Sequence, residues 1–230
     1  MELSVVFTYI SFITYVASLS LIIPILVGII RFKDLQSNML MSIFVYLCLY
    51  AIFEIVAWYY VINGWQNHFL GNTVTYLDIL FWSYYYHNLL DSQWFKKIVI
   101  AFCIVSTVIV GFSHFAIDKD YNRLNSIGLS IQNLTIISYA LLFFFQLINN
   151  LNVRYLSLYP HFWIGIAVLI YFSIVFFVEI FAEYITFNRD KEFAHAYWEI
   201  KEYLTFFHRI ILAIGLWFSK TLLQSNLSSK

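Results

Sequence analysis

Charge is what this sequence has least of. Of its 230 residues only 11% are Asp, Glu, Lys or Arg, while 62% are hydrophobic and 21% aromatic. A soluble domain of this size has no means of hiding so much apolar surface, so the bilayer is left as its solvent. Cysteine is nearly absent. Cys48 and Cys103 stand alone inside apolar runs, which excludes a disulfide framework and a zinc site. The seven glycines form no phosphate-cradling loop and no nucleophile elbow, and no basic run offers a nucleic-acid surface. The prolines are Pro24 and Pro160. The first interrupts an apolar run and predicts a kink; the second suits the first turn of a helix. The sequence calls for no cofactor, no metal and no nucleic acid.

What is present is a series of seven apolar runs, near 7–30, 39–61, 69–90, 98–116, 126–147, 162–185 and 200–219. Each is close to the roughly 20 residues that a tilted helix needs to cross hydrocarbon. They predict an all-α fold: a single polytopic membrane helical bundle over residues 1–230, with seven transmembrane helices joined by short polar links. Arg31, Lys33, Lys96, Lys97, Arg154, Lys220 and Lys230 collect after the first, third and fifth runs and in the tail. Lys119, Arg123, Arg189 and Lys191 lie on the other side, mixed with acids. The positive-inside bias therefore puts the N-terminus outside the cytoplasmic membrane and the C-terminus in the cytoplasm. Met1-Glu2 has no basic n-region, so the first run reads as a retained helix.

The few ionisable groups inside the runs fall at one level. Glu54 lies about 10 Å and Asp78 about 13 Å from the outer end at 1.5 Å per residue. Trp58 is one turn above Glu54, Gln132 and Asn133 sit at a similar depth in the fifth run, and the seventh carries His208 and Arg209. The sixth run, from Tyr171 to Tyr184, carries Glu179 and Glu183 four residues apart on one face. Such groups are expensive in lipid unless they meet one another. The layer is therefore either an interhelical network that fixes packing or the wall of a pocket for a small ligand or proton. Two other polar stretches have simpler readings. Trp82-Ser-Tyr-Tyr-Tyr-His87-Asn88 is expected as an interfacial aromatic belt. Glu192, His195, Glu199 and Glu202 fall on one face of an outward extension of the seventh helix, as a solvated face or a cation site.

Spacing also suggests a repeat. Tyr46, Glu54-Ile55, Ala57 and Tyr59 recur as Tyr171, Glu179-Ile180, Ala182 and Tyr184, and Thr75-x-x-Asp78 recurs as Thr205-x-x-His208. Helices one to three would then repeat as five to seven around a connecting fourth, a parallel 3+1+3 plan. Accidental matching in aromatic-rich sequence is the alternative. Pro160-His-Phe-Trp-Ile-Gly165, Ile170-Tyr-Phe-Ser173, Leu212-Ala-Ile-Gly215-Leu-Trp217 and Ile22-Ile-Pro24 with Arg31-Phe-Lys33 resemble a group of small uncharacterised bacterial seven-helix integral membrane proteins. These often accompany two-component histidine kinases, so the resemblance implies a sensory role. The layout is also similar to sugar porters and receptor-like proteins, but the Pro-Gln signature and a mid-helix lysine for retinal are lacking. Three functions are expected, in order: a receptor-like sensor with an outer-half pocket and a cytoplasmic signalling partner, a small transporter of a polar or cationic solute, and an intramembrane hydrolase.

Overall fold

The computed structural model describes residues 11–36, 39–118, 124–150 and 155–220. Among the described residues the chain is helical, without strands. Helices α1 (Phe12–Ser20) and α2 (Ile22–Ile30) form one long segment broken at Leu21, and a turn over Phe32–Leu35 follows. Then come α3 (Leu40–Ile62), α4 (His68–Leu89), α5 (Gln93–Phe112), α6 (Ser126–Asn150), α7 (Pro160–Ile180), α8 (Ala182–Asn188) and α9 (Lys191–Trp217). Five stretches are long and apolar enough to cross a membrane: Phe12–Ile30, Leu40–Ile62, Gln93–Phe115, Ser126–Asn149 and Pro160–Ile180. This fits a multi-pass membrane protein in a lipid bilayer. Helices α4 and α9 fall outside that group because their inward faces carry Asn72, Thr75, Asp78, Lys201, His208 and Arg209.

Local chemistry sets the breaks and ends. Pro24 has no N–H to give the Ser20 carbonyl, and the helix tightens just before it: the Leu21 N–H turns to Ser18 O at 3.3 Å, a shorter-range bond that leaves the Ala17 carbonyl to the Ser20 hydroxyl, which donates to it at 2.5 Å. The kink expected at Pro24 thus appears three residues earlier. Helix α3 ends in a Schellman motif. Gly64 takes φ 71°, its N–H meets Val61 O at 3.0 Å and the Trp65 N–H meets Tyr60 O at 2.9 Å. Pro160 occupies the first turn of α7. Asp190 caps α9 by accepting the Phe193 N–H at 2.8 Å, so the helix begins well outside the apolar run, as expected of its extension.

Contacts close the helices into a ring. The α1–α2 segment packs on α3 and α9, α3 on α4, α4 on α6, α6 on α7, and α7 on α9, while α5 packs against α4 and α6. Helices α3 and α4 run in opposite directions, whereas α4 and α6 run the same way, Gln132 meeting Asp78 and Tyr139 meeting Ser83. Tyr60 meets Phe69 near one end while Tyr46 stacks on Phe81 toward the other, at 5.3 and 4.1 Å between centroids. Helix α3 turns Val45, Leu49, Ile52 and Ile55 outward, a stripe three or four residues apart that leaves them exposed.

The end of the ring opposite the 63–67 link is filled solid. Trp82, Tyr85, Tyr86, Tyr139, Ile164 and Leu216 are fully buried there. This corrects the belt expected over Trp82–Asn88: only some of its residues, such as Tyr84, face outward. Two of the buried tyrosine hydroxyls have side-chain partners, which eases placing them inside, while Tyr86 Oη has none among the described residues. Tyr85 Oη lies 2.7 Å from His161 Nδ1, and Tyr139 Oη lies 2.9 Å from Ser83 Oγ. Met1, Glu2, Lys119, Arg123, Arg154 and Lys230, on which part of the expected orientation rests, lie outside the described residues.

Candidate functional site

Above the solid core the ring encloses a cavity of about 340 Å³. Its wall is built from α3, α4, α6, α7 and α9, with Leu21 from the break between α1 and α2; among the described residues α5 contributes none. Asn67, His68 and Leu124 stand at its rim on the side of the 63–67 link, and Tyr46, Leu47, Phe172 and Leu212 line its deep end. Trp82 closes that end, edge-on to both Tyr46 and Phe172 at 5.8 and 6.2 Å between centroids.

Glu54, Asp78, Gln132, Asn133, Glu179, His208 and Arg209 all line this cavity, so the polar layer is one place. Trp58 does not belong to the wall. It stacks on Tyr15 at 5.2 Å and donates its indole N–H to Ser18 Oγ at 3.0 Å, tying α3 to α1. The level of Trp58 had suggested the site, but its rotation around α3 points it at the neighbouring helix. Glu183 lies on α8, and its side chain is outside the described residues.

Two ion pairs and one separate carboxylate organise the wall. Arg209 donates to Glu54 Oε2 at 2.8 Å and to the carbonyls of Ala17 and Ser18, so it shares with the Ser20 hydroxyl the Ala17 oxygen at the helix break. Its guanidinium lies 5.8 Å from the Tyr50 ring centre. Lys201 Nζ donates to Glu179 Oε1, with the Trp198 ring 5.4 Å away. Asp78 has only neutral donors: Tyr46 Oη–H to Oδ1 and Gln132 Nε2–H to Oδ2, each at 2.7 Å. His208 is the least engaged with the acids. Its Nδ1–H donates to the Ala167 carbonyl at 3.0 Å, and its ring lies 4.4 Å from that of Tyr171.

Lys201 is a charged wall residue that the sequence reading does not single out, because it lies between Glu199 and Glu202 where the seventh helix extends outward. The signal was nevertheless present: Lys201, Thr205, His208, Arg209 and Leu212 fall at helical spacing on one face, and all five line the cavity. The extension behaves as a solvated face further out, where His195 meets Glu199 at 3.5 Å with both side chains substantially exposed.

Several buried polar atoms of the wall are unsatisfied. Gln132 Oε1, Asn133 Nδ2 and Glu179 Oε2 have no hydrogen-bond partner among the described residues. Each such atom costs roughly 1–3 kcal/mol, and Trp82 Nε1 and Tyr86 Oη in the solid core are in the same condition. No group of three metal-ligating side chains occurs among the described residues. The arrangement can bind, hold charge and order a small polar molecule. Comparison of the chain with protein-family models, with curated proteins and with solved structures finds no match.

Proposed function

We propose that this chain is a receptor-like membrane sensor whose ring encloses a ligand pocket entered from outside the cell. The observation that carries the reading is a cavity lined by polar and charged groups, with a rim at one end and a blind floor at the other. A small molecule has a way in and no way through, because Trp82, Tyr85 and Tyr86 fill the ring below it. Arg31, Lys33, Lys96, Lys97 and Lys220 all lie at the filled end, which supports a cytoplasmic placement of that end and an outward-facing rim. In this reading the chain crosses the bilayer seven times, α4 and α9 included. Their polar faces are tolerable in lipid because they turn into the cavity. The signal passes to a partner protein at the cytoplasmic end; a histidine kinase, as beside the group that the sequence resembles, is the partner proposed.

A transporter is the second reading, and the helix arrangement favours it specifically. A parallel repeat of α1–α4 as α6–α9 would match Tyr46 against Asp78 with Tyr171 against His208. Those two pairs do meet, at 2.7 Å between polar atoms and 4.4 Å between ring centres. The fifth helix α5 would then be the connector. A hydrolase has less support, since His208 bonds to a backbone carbonyl rather than to Glu54, Asp78 or Glu179.

Thiol accessibility separates sensor from transporter. Gly71 lines the rim side of the cavity, and a Cβ added there meets nothing within 4 Å. Ser83 lies in the filled end. With Cys48 and Cys103 replaced by serine, Gly71→Cys is expected to react with an impermeant thiol reagent added outside intact cells, and Ser83→Cys to react from neither side. Labelling of Ser83→Cys from both sides would mean a through-path and replace the sensor with a transporter. Labelling of Gly71→Cys only from the cytoplasm would overturn the orientation.

A further inference from the structure

We propose that the cavity takes a small organic monocation, a protonated or quaternary amine of metabolite size, anchored at Asp78. This rests on the cavity being a ligand pocket, as proposed above, and adds the chemical class of the ligand.

Charge is the first reason. The wall carries three carboxylates, Glu54, Asp78 and Glu179, against two permanent cations, Lys201 and Arg209. Each cation is held by a carboxylate of its own, Lys201 by Glu179 and Arg209 by Glu54. Asp78 is left outside both ion pairs, with the Tyr46 hydroxyl and the Gln132 amide as its hydrogen-bond donors. Each carboxylate oxygen can accept more than one bond, so Asp78 keeps acceptor capacity after both of these. A carboxylate held outside the ion pairs at membrane depth gains from a cation placed beside it.

Hydrogen-bond polarity is the second. Of the unsatisfied wall atoms, Gln132 Oε1 and Glu179 Oε2 are acceptors and only Asn133 Nδ2 is a donor. Their residues are at most 5% exposed, so water outside the bundle does not serve them. A small rotation of either acceptor toward the cavity gives a donor-bearing ligand two further partners. An anion would face the reverse: acceptors in the wall and cations already paired.

The remaining wall decides between an amine and a metal ion. Tyr50, Phe53, Tyr171, Phe172 and Trp198 line the cavity, and aromatic faces attract organic cations while also burying their carbon. A bare divalent ion would need six or more oxygen ligands or a His/Cys set. The volume, about 340 Å³, sits at the small end of the roughly 300–1,000 Å³ range of ligand pockets.

The test is binding to the full-length protein in nanodiscs, followed by thermal unfolding and by intrinsic tryptophan fluorescence, for which Trp198 is the reporter in the wall. Choline and 2-phenylethylammonium are compared with their uncharged counterparts 3,3-dimethylbutanol and 2-phenylethanol, and with phenylacetate. The ammonium probes are expected to raise Tm and to half-saturate at concentrations at least about ten-fold lower than the alcohols. Asp78→Asn is expected to abolish that preference. The wild-type comparison needs no variant, so a failure of Asp78→Asn to fold leaves the test intact. If an alcohol or phenylacetate binds as tightly as the ammonium, the cation is overturned while the pocket stands. If no probe of any charge shifts Tm or fluorescence, both the cation and the ligand-pocket reading fall.

Discussion

The two ion pairs of the cavity look alike in sequence, yet their surroundings predict unequal responses to the same change. Glu179 is 1% exposed and is the ion-pair partner of Lys201 among the described residues, with the Trp198 face beside a lysine side chain that is 29% exposed. Replacing Glu179 by Gln preserves shape but leaves a partly buried ammonium without its paired carboxylate, a loss of about 3–5 kcal/mol. Glu54 is 23% exposed within the assembled chain, and its partner Arg209 has other support from the Ala17 and Ser18 carbonyls and the Tyr50 ring. Glu54→Gln still offers Arg209 an amide oxygen, so the loss is about 1.5–3 kcal/mol, the worth of one charge-assisted hydrogen bond. At about 2–4 °C per kcal/mol for a chain of this size, Tm in detergent should fall by about 6–20 °C for Glu179→Gln and about 3–12 °C for Glu54→Gln. Adding Lys201→Met to Glu179→Gln removes the stranded charge and should recover at least half of the loss. A larger fall for Glu54→Gln, or no recovery in the double variant, would refute the assignment of partners.

Glycine positions give a pair of opposite predictions. Gly71→Ala places its Cβ in open space and should leave Tm unchanged or raised, helix formation gaining about 0.5–1 kcal/mol. In Gly215→Ala the new Cβ meets Ile164 Cγ1 at 2.9 Å and the Pro160 carbonyl at 3.3 Å, where α9 crosses the start of α7; a loss of about 1–3 kcal/mol is expected, read in the same assay. Pro24→Ala restores an N–H to the broken helix and lets Leu21 return to the Ala17 carbonyl, competing with Arg209 for it. A thermal double-mutant cycle of Pro24→Ala with Arg209→Gln should therefore show coupling; additivity within about 0.5 kcal/mol would refute the tie between helix break and ion pair.

Element positions were legible in the sequence because hydrophobic run length is a strong signal in a chain this apolar. The second and third runs agree with α3 and α4 to within a residue at each end. The helix of the fourth run, α5, begins five residues early, at Gln93, since Lys96 and Lys97 tolerate a helical turn that hydropathy alone would end. The site was legible through cost: a carboxylate or guanidinium inside an apolar run has to meet others at its own level. Depth is what such reasoning fixes, and rotation is what it leaves open. Trp58 had the right depth and the wrong direction. Lys201 had the right face, but lay among acids that read as solvated. The burial of Trp82, Tyr85 and Tyr86 depends on partners from two other helices, Ser83 with Tyr139 and Tyr85 with His161, a matter of assembly that no single stretch records.

Network and pocket, posed as alternatives by the sequence, use the same residues in different states of completion. Arg209 is finished: it spans α9, the α1 break and α3, and has acceptors for both terminal nitrogens. Such a residue holds helices in place. Asp78 and the amides beside it are unfinished, with a charge and polar atoms that the protein itself leaves unmatched. Because Tyr46 links Asp78 to α3 and also stacks on Phe81 and meets Trp82 edge-on, a ligand that draws on Asp78 acts on the top of the aromatic core. That core, through Tyr85 and His161, reaches the filled end of the ring. Occupancy of the unfinished half is thereby mechanically continuous with the surface where a partner would read it, while the finished half gives the ring a fixed frame to work against.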